Sequence, residues 1–254
     1  MALENYIKTK LENKDILLMT HIVLGYPSLD NSYRIIKTMV EAGVDIMELQ
    51  IPFSEPTADG PVIVKANQYA IDNCVKVEEC LALAGKVTHD FDIPFLIMTY
   101  YNVPYKYGID NFTSNLAKNN LKGTIIPDLP PEEGHDFYEA MKRNSLDPIM
   151  LFSPTTTDER MKYLNSFSSG FIYCVARKGV TGKDTNFSDE LSLYLERCRN
   201  ATSLPLALGF GIKQKADVDF LKGKVDIAVI GTQSIKIMDE SGIDAVGKFI
   251  RGLR

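Results

Sequence analysis

Val44-Asp45-Ile46-Met47-Glu48-Leu49-Gln50-Ile51 is an apolar run of strand length with a glutamate at its centre. It passes directly into Pro52-Phe53-Ser54-Glu55-Pro56-Thr57-Ala58-Asp59-Gly60-Pro61. An apolar strand, a turn stiffened by three prolines and a helix opening at Pro61 make one βα unit. Its apolar residues fall on both parities, so both of its sides need cover, as in a parallel sheet wrapped by helices.

Working outward, the same unit recurs. Short runs rich in Ile, Val, Leu and Phe occupy residues 16–24, 44–51, 93–98, 124–127, 149–152, 171–176, 204–208 and 226–230, each followed by a polar turn and an amphipathic stretch. Helix starts are written at Ser28, at Pro61, and at Pro131 with Glu132 and Glu133, acids that suit the positive end of a helix. The chain is 254 residues long; that length fits two average domains, or one (β/α)8 barrel of about 250 residues. Eight successive units without a linker, low-complexity tract or charge block favour the second: one α/β domain over residues 1–254, closed as a barrel, since a doubly wound open sheet carries fewer strands or more chain.

Composition narrows the function. Apolar types make up 45% and the formal charge is −5, which excludes long disorder and collagen-like repeats. No apolar stretch approaches 18 residues and the N-terminal stretch has no secretory apolar core, so the expectation is a cytoplasmic chain. Cys74, Cys80, Cys174 and Cys198 form no C-x-x-C pair and read as reduced thiols. His21, His89 and His135 are too scattered for a convincing metal site, although carboxylates alone can hold a hard cation. No Lys/Arg cluster offers nucleic acid a footprint.

In such a barrel the chemistry sits on the loops after the strands. Glu48 lies deep in its strand, where desolvation favours a protonated carboxyl unless the group is hydrogen-bonded or working. Period two places it with Ile46 and Gln50, and we expect it to face inward. It is either a structural acid satisfied by a tyrosine or backbone amide, or one half of an acid/base pair. The rigid loop that follows presents Glu55 and Asp59, and two acids in different surroundings are the usual means of separating proton donor from acceptor. Read blandly, Asp59-Gly60-Pro61 is only a turn and helix start.

Gly209-Phe210-Gly211-Ile212 after the seventh run and Gly231-Thr232-Gln233-Ser234 after the eighth bring backbone N–H groups toward an anion, with a helix N-terminus behind the second. A G-F-G is also a plain tight turn, but phosphate sites in this fold favour that corner. No nucleotide-binding glycine motif is present. The loop Arg177-Lys178-Gly179-Val180-Thr181-Gly182-Lys183-Asp184-Thr185-Asn186 is long, polar and hinged by glycines, as a lid would be, or as an ordinary surface loop would be. None of the eight runs contains a lysine, which disfavours a Schiff-base enzyme with its amine on a barrel strand and leaves cofactor-free carboxylate catalysis.

These residues resemble the tryptophan synthase alpha chain family, a TIM barrel, along essentially the whole sequence. Residues 48–61 are similar to the family pattern E-L-G-x-P-F-S-D-P-x-A-D-G-P, and Ile126-Pro127-Asp128-Leu129-Pro130, Gly179-Val180-Thr181-Gly182 and Gly209-Phe210-Gly211-Ile212 match further. The resemblance implies a lyase that splits indole-3-glycerol phosphate into indole and glyceraldehyde 3-phosphate by retro-aldol cleavage. It implies Glu48 as the acid/base and Asp59 as the group that holds the indole N–H, with Thr181 of the lid orienting Asp59. It places phosphate against Gly182, Gly211, Gly231 and Thr232, and makes Tyr100, Leu151, Tyr173 and Phe210 walls of an indole pocket, positions a barrel core would also fill with large side chains. No cofactor is implied in this chain; pyridoxal phosphate belongs to a beta chain partner in an alpha2beta2 complex. The tyrosine- and proline-rich loops at residues 100–105 and 127–131 suit such an interface or merely cap the barrel.

Four positions depart from the pattern: Gln50 stands for a glycine, Glu55 for an aspartate, His21 for an aromatic residue and Lys213 for a small polar one. Gln50, one period-two step from Glu48, has the length to enter the pocket and hydrogen-bond the catalytic acid or the ligand. The rival readings are a non-catalytic regulatory subunit and a phosphosugar isomerase on the same fold.

Overall fold

The computed structural model describes residues 2–176, 189–209 and 211–254. Its eight strands are β1 (Leu17–Val23), β2 (Ile46–Gln50), β3 (Phe95–Met98), β4 (Gly123–Ile125), β5 (Asp147–Phe152), β6 (Ile172–Val175), β7 (Leu206–Gly209) and β8 (Ile227–Ile230). All pair in parallel and in sequence order, and β8 closes on β1. The eight runs read from sequence are these strands, each trimmed or shifted by one to three residues.

The helices among the described residues are α1 (Leu3–Leu11), α2 (Leu29–Glu41), α3 (Pro61–Asp72), α4 (Val77–Asp90), α5 (Asn102–Tyr107), α6 (Ile109–Lys118), α7 (His135–Arg143), α8 (Asp158–Asn165), α9 (Asp189–Ala201), α10 (Lys215–Leu221), α11 (Thr232–Ser241) and α12 (Ile243–Gly252). Ser28 caps α2 by accepting the Asn31 N–H, and Pro61 opens α3 behind Gly60. The start expected at Pro131 is displaced: residues 131–133 form a tight turn, with Glu133 N–H on Pro130 O and Gly134 N–H on Pro131 O, and α7 begins at His135. The physical reason lies at Gly134, where a Cβ would stand 2.4 Å from Tyr138, so the chain enters the helix at the residue with no side chain to clash.

Two cores follow from strand alternation. Leu17 and Met19, Ile46, Leu96 and Met98, Ile125, Ile149, Ala207, and Ile227 and Val229 fill the barrel, with Leu3 and Ile7 of α1 packed against them. Residues of opposite parity, Leu18, Met47, Leu49, Ile97 and Leu208, face the helices and pack on their apolar stripes, such as Ile35, Ile36 and Met39 of α2. The interior parity of β1 and β2 decides what the barrel mouth contains, because His21 continues Leu17 and Met19 while Glu48 and Gln50 continue Ile46.

Candidate active site

Three polar residues therefore occupy the upper interior on adjacent strands. The β1–β2 register sets His21 against Glu48 and Val23 against Gln50, and His21, Glu48 and Gln50 are all buried. His21 Nδ1 lies 3.2 Å from Glu48 Oε1. Burial resists charge on the imidazole, but the adjacent Glu48 carboxylate and the Asp59 charge outweigh that resistance and raise the His21 pKa above its usual 6.5.

The loop after β2 is fixed by its own backbone and by α3. Thr57 N–H donates to Glu55 O and Asp59 N–H to Pro56 O. Buried Asn67 accepts the Phe53 N–H at 2.9 Å while donating to Ile63 O, and so latches the loop onto the helix. This brings Asp59 over the barrel, 9% exposed. Gln50 Nε2 donates to Asp59 Oδ2 at 2.7 Å and the Tyr100 hydroxyl donates to the same oxygen at 3.1 Å. Tyr100 in turn accepts the Ala58 N–H at 3.0 Å and stacks on Phe53, ring centroids 5.1 Å apart. Burial raises the Asp59 pKa above 3.8 and the nearby Glu48 charge adds to it, against the opposing pull of His21 and the two hydrogen bonds. Glu55 is exposed and takes no part.

Tyr173 of β6 faces both acids: its phenol is pushed well above 10, first by burial, then by the negative charges of Glu48 and Asp59. It fits because Gly209 is a glycine, a Cβ there falling 2.9 Å from the Tyr173 oxygen. Leu151, beside Tyr173 in the β5–β6 register, is partly buried against the same interior cluster. Within this mouth His21 Nε2, Glu48 Oε2 and Gln50 Oε1 are buried without a protein partner. Leaving such atoms unpaired costs about 1–3 kcal/mol each, and folds keep that cost where a ligand will meet it.

At the corner between β7, β8 and β1, Gly211 holds φ +74° and has open space where a side chain would stand. Gly231 caps α11, of which Thr232 is the first residue. A Cβ on Gly231 would stand 3.6 Å from the His21 Cβ, so His21 lies between this corner and Glu48. Thr181, Gly182 and Phe210 lie outside the described residues. Among the described residues no group of three or more His, Cys, Asp or Glu side chains could hold a metal ion, and no helix is long and apolar enough to cross a membrane. The four cysteines are free. A hollow of about 660 Å³ lined by Tyr105, Ile109, His135, Asp136, Glu139 and Arg143 lies out among the helices and contains neither acid; unpaired buried atoms, more than surface depth, mark the site.

Gln50 has the length to reach the pocket, and its amide lands on Asp59 and not on Glu48 beside it. The His21–Glu48 contact and the Asn67 latch are not among the sequence expectations. The signal for the first was available: His21 has the parity of Leu17 and Met19 and a strand neighbour carrying an acid. For Asn67 there was none, because an asparagine inside a helix reads as surface.

A family model described as tryptophan synthase alpha chain matches residues 7–249. A tryptophan synthase alpha chain of Syntrophotalea carbinolica is 58% identical over 252 residues, covering 99% of this chain and 100% of its own length. That of Desulforapulum autotrophicum is 56% identical, covering 99% of both. Among solved structures, tryptophan synthase of Mycobacterium tuberculosis superposes with a TM-score of 0.93 at 28% identity, covering 100% of this chain and 97% of its own. The alpha chain from Legionella pneumophila gives 0.89 at 27%, covering 99% and 95%.

Proposed function

The chain belongs to the tryptophan synthase alpha chain family, and from that premise we propose how its residues divide the work of the reaction. The reaction is the alpha reaction of tryptophan biosynthesis, retro-aldol cleavage of indole-3-glycerol phosphate to indole and glyceraldehyde 3-phosphate.

Glu48 delivers a proton to the indole carbon that bears the glycerol chain. The ring becomes an indoleninium cation, and the Asp59 carboxylate, bonded to the ring N–H, stabilises that charge. The glycerol hydroxyl on the adjacent carbon then gives its proton back to Glu48 as the carbon–carbon bond breaks; the bonding pair restores the aromatic indole and the hydroxyl oxygen becomes the aldehyde. No proton is gained or lost by the enzyme. Tyr100, Leu151, Tyr173 and Phe210 wall the ring, and Gly182, Gly211, Gly231 and Thr232 bind the phosphate through backbone N–H groups. Thr181 orients Asp59.

The observation supporting these roles is that Gln50, the next inward residue after Glu48 on β2, donates to Asp59 at 2.7 Å, which brings both buried acids to the same mouth of the barrel. Glu48→Gln and Asp59→Asn test them by release of indole from indole-3-glycerol phosphate. Each variant should lose about 10² to 10⁴ in kcat. Undiminished turnover by Glu48→Gln would discard the mechanism, and a product retaining every substrate carbon would identify an isomerase.

The partner is a beta chain carrying pyridoxal phosphate, in an alpha2beta2 complex in the cytoplasm, while this chain works without a cofactor. Its docking surface is the mouth rim, where Tyr101 N–H bonds Asp128 Oδ1 at 2.9 Å and so ties the loop after β3 to the loop after β4, beside Tyr105, 63% exposed. Indole release should rise on adding a beta chain. Equal turnover alone and in the mixture would remove that element, and a wild type that releases no indole yet stimulates the beta chain would make this a regulatory subunit.

A further inference from the structure

Two of the departures from the family pattern, His21 and Gln50, are buried polar side chains standing on the two acids. An aromatic hydrocarbon at position 21 or a glycine at position 50 makes no such bond, so this chain holds its acids differently from the pattern. His21 carries the argument furthest. Its Nδ1 faces Glu48 Oε1 while Nε2 has no protein partner, and on Glu48 the arrangement repeats, with Oε1 engaged and Oε2 without one. Two buried titratable groups thus share one contact, and each keeps one atom for a ligand.

We propose that His21 is the positioning residue and proton partner of Glu48, the two side chains holding a single proton between Nδ1 and Oε1 in the resting site. The inference rests on the role given to Glu48 above. Within the pair the proton sits on imidazole or on carboxyl. Placed on Glu48, it is delivered to the indole carbon, leaving neutral imidazole and carboxylate. The glycerol hydroxyl proton then returns to Glu48 and restores the pair, so no external acid is consumed. Orientation serves the same end: the bond on Oε1 turns Oε2 toward the substrate.

The titratable groups facing His21 are Glu48 on β2 and Asp59 on the loop after it; Tyr173 on β6 and Tyr100 beyond β3 face those acids and are held neutral by burial. With two carboxylates around it, the imidazole keeps its proton to higher pH than a free histidine does.

The test uses the full chain with a beta chain. His21→Phe restores the family's aromatic character and keeps the ring volume, His21→Asn keeps a donor near Nδ1 without a titrating group, and Glu48→Gln runs in parallel. In His21→Phe we expect kcat to fall about tenfold to a hundredfold and the high-pH limb of the kcat profile to move to lower pH, because Glu48 must then hold the proton without the imidazole. In His21→Asn the rate should recover in part, while that limb stays at the lower pH. Should a variant fail to fold, NMR titration of His21 in wild type and in Glu48→Gln replaces it: the wild-type imidazole must titrate above 6.5 and fall once Glu48 is neutral. If Glu48→Gln is inactive while His21→Phe keeps the wild-type rate and profile, the inference fails and the Glu48 mechanism stands. Full activity in Glu48→Gln removes both.

Discussion

Asp45, just before β2, and Glu48, within it, lie three residues apart, the first at the foot of the barrel and the second in its upper interior, and are treated in opposite ways. Asp45, at the foot, is satisfied on every side. Its carboxylate accepts the Leu18 N–H at 2.9 Å and pairs with both Lys14 and Arg254, while its backbone carbonyl takes the Tyr6 hydroxyl. Glu48, at the mouth, has one histidine and one bare oxygen. Both are buried acids, and sequence hydropathy ranks them alike. What separates them is completeness of pairing: a fully paired carboxylate has nothing left to give a substrate, and an incompletely paired one is held at a cost that only a ligand removes. The division matches the general partition of these barrels into a stabilising lower face and a reactive upper one.

The largest expected break in that comparison is at the foot. Asp45→Asn removes the charge that Lys14 and Arg254 converge on and should destabilise the fold by about 2 to 3 kcal/mol. The effect stays below that for a fully enclosed pair because the two cations are 36% and 30% exposed and can turn to water. Urea unfolding measures it, and kcat per folded molecule should be unchanged. A rate loss comparable to that of Glu48→Gln would mean that the two ends do not divide labour in this way.

The mouth should respond with the opposite sign. Asp59 has a raised pKa in the fold, so its proton is bound more tightly there than in the unfolded chain. Folding is then penalised as pH climbs from the unfolded value of about 3.8 through the folded one, and the full penalty is present at neutrality. Asp59→Asn keeps acceptors for Gln50 and Tyr100 and removes the charge, so it should gain about 1 kcal/mol of stability at pH 7 while losing turnover. Its unfolding midpoint should exceed that of wild type at pH 7, and the gap should close near pH 3. A destabilised variant would mean that the two hydrogen bonds to Asp59 outweigh its burial.

The pattern from which this division was read is only partly local. Eight strands are legible because each is an uninterrupted apolar run, and parity along β2 points Glu48 inward from Ile46 alone. The helix after the Pro127–Pro131 loop was misplaced because Pro131 and its acids spell a helix start, whereas the clash of any side chain at position 134 with Tyr138 depends on a residue four positions on. Asp59 could be read only as a turn or an acid, since its environment is made by Gln50 from the strand before it and Tyr100 from the strand after. His21 shows the limit most clearly. One histidine on an apolar strand carries no sign of its partner until β1 and β2 are set in register, and that register is a property of the closed barrel.

The smallest expected effect sharpens the comparison from the side of the base. Because the folded state raises the His21 pKa, the native chain binds that proton more tightly than the unfolded one. The resulting stabilisation is complete below about pH 6.5, the unfolded value, and drains away as pH rises through the folded value. Urea midpoints of wild type and His21→Phe, compared at pH 6 and pH 9, isolate the contribution: wild type should lose ground to the variant on going to pH 9. A difference that grows in favour of wild type would mean that the imidazole is neutral in the fold. Its contact with Glu48 would then be packing, and the mouth would hold an unpartnered acid instead of a proton-sharing pair.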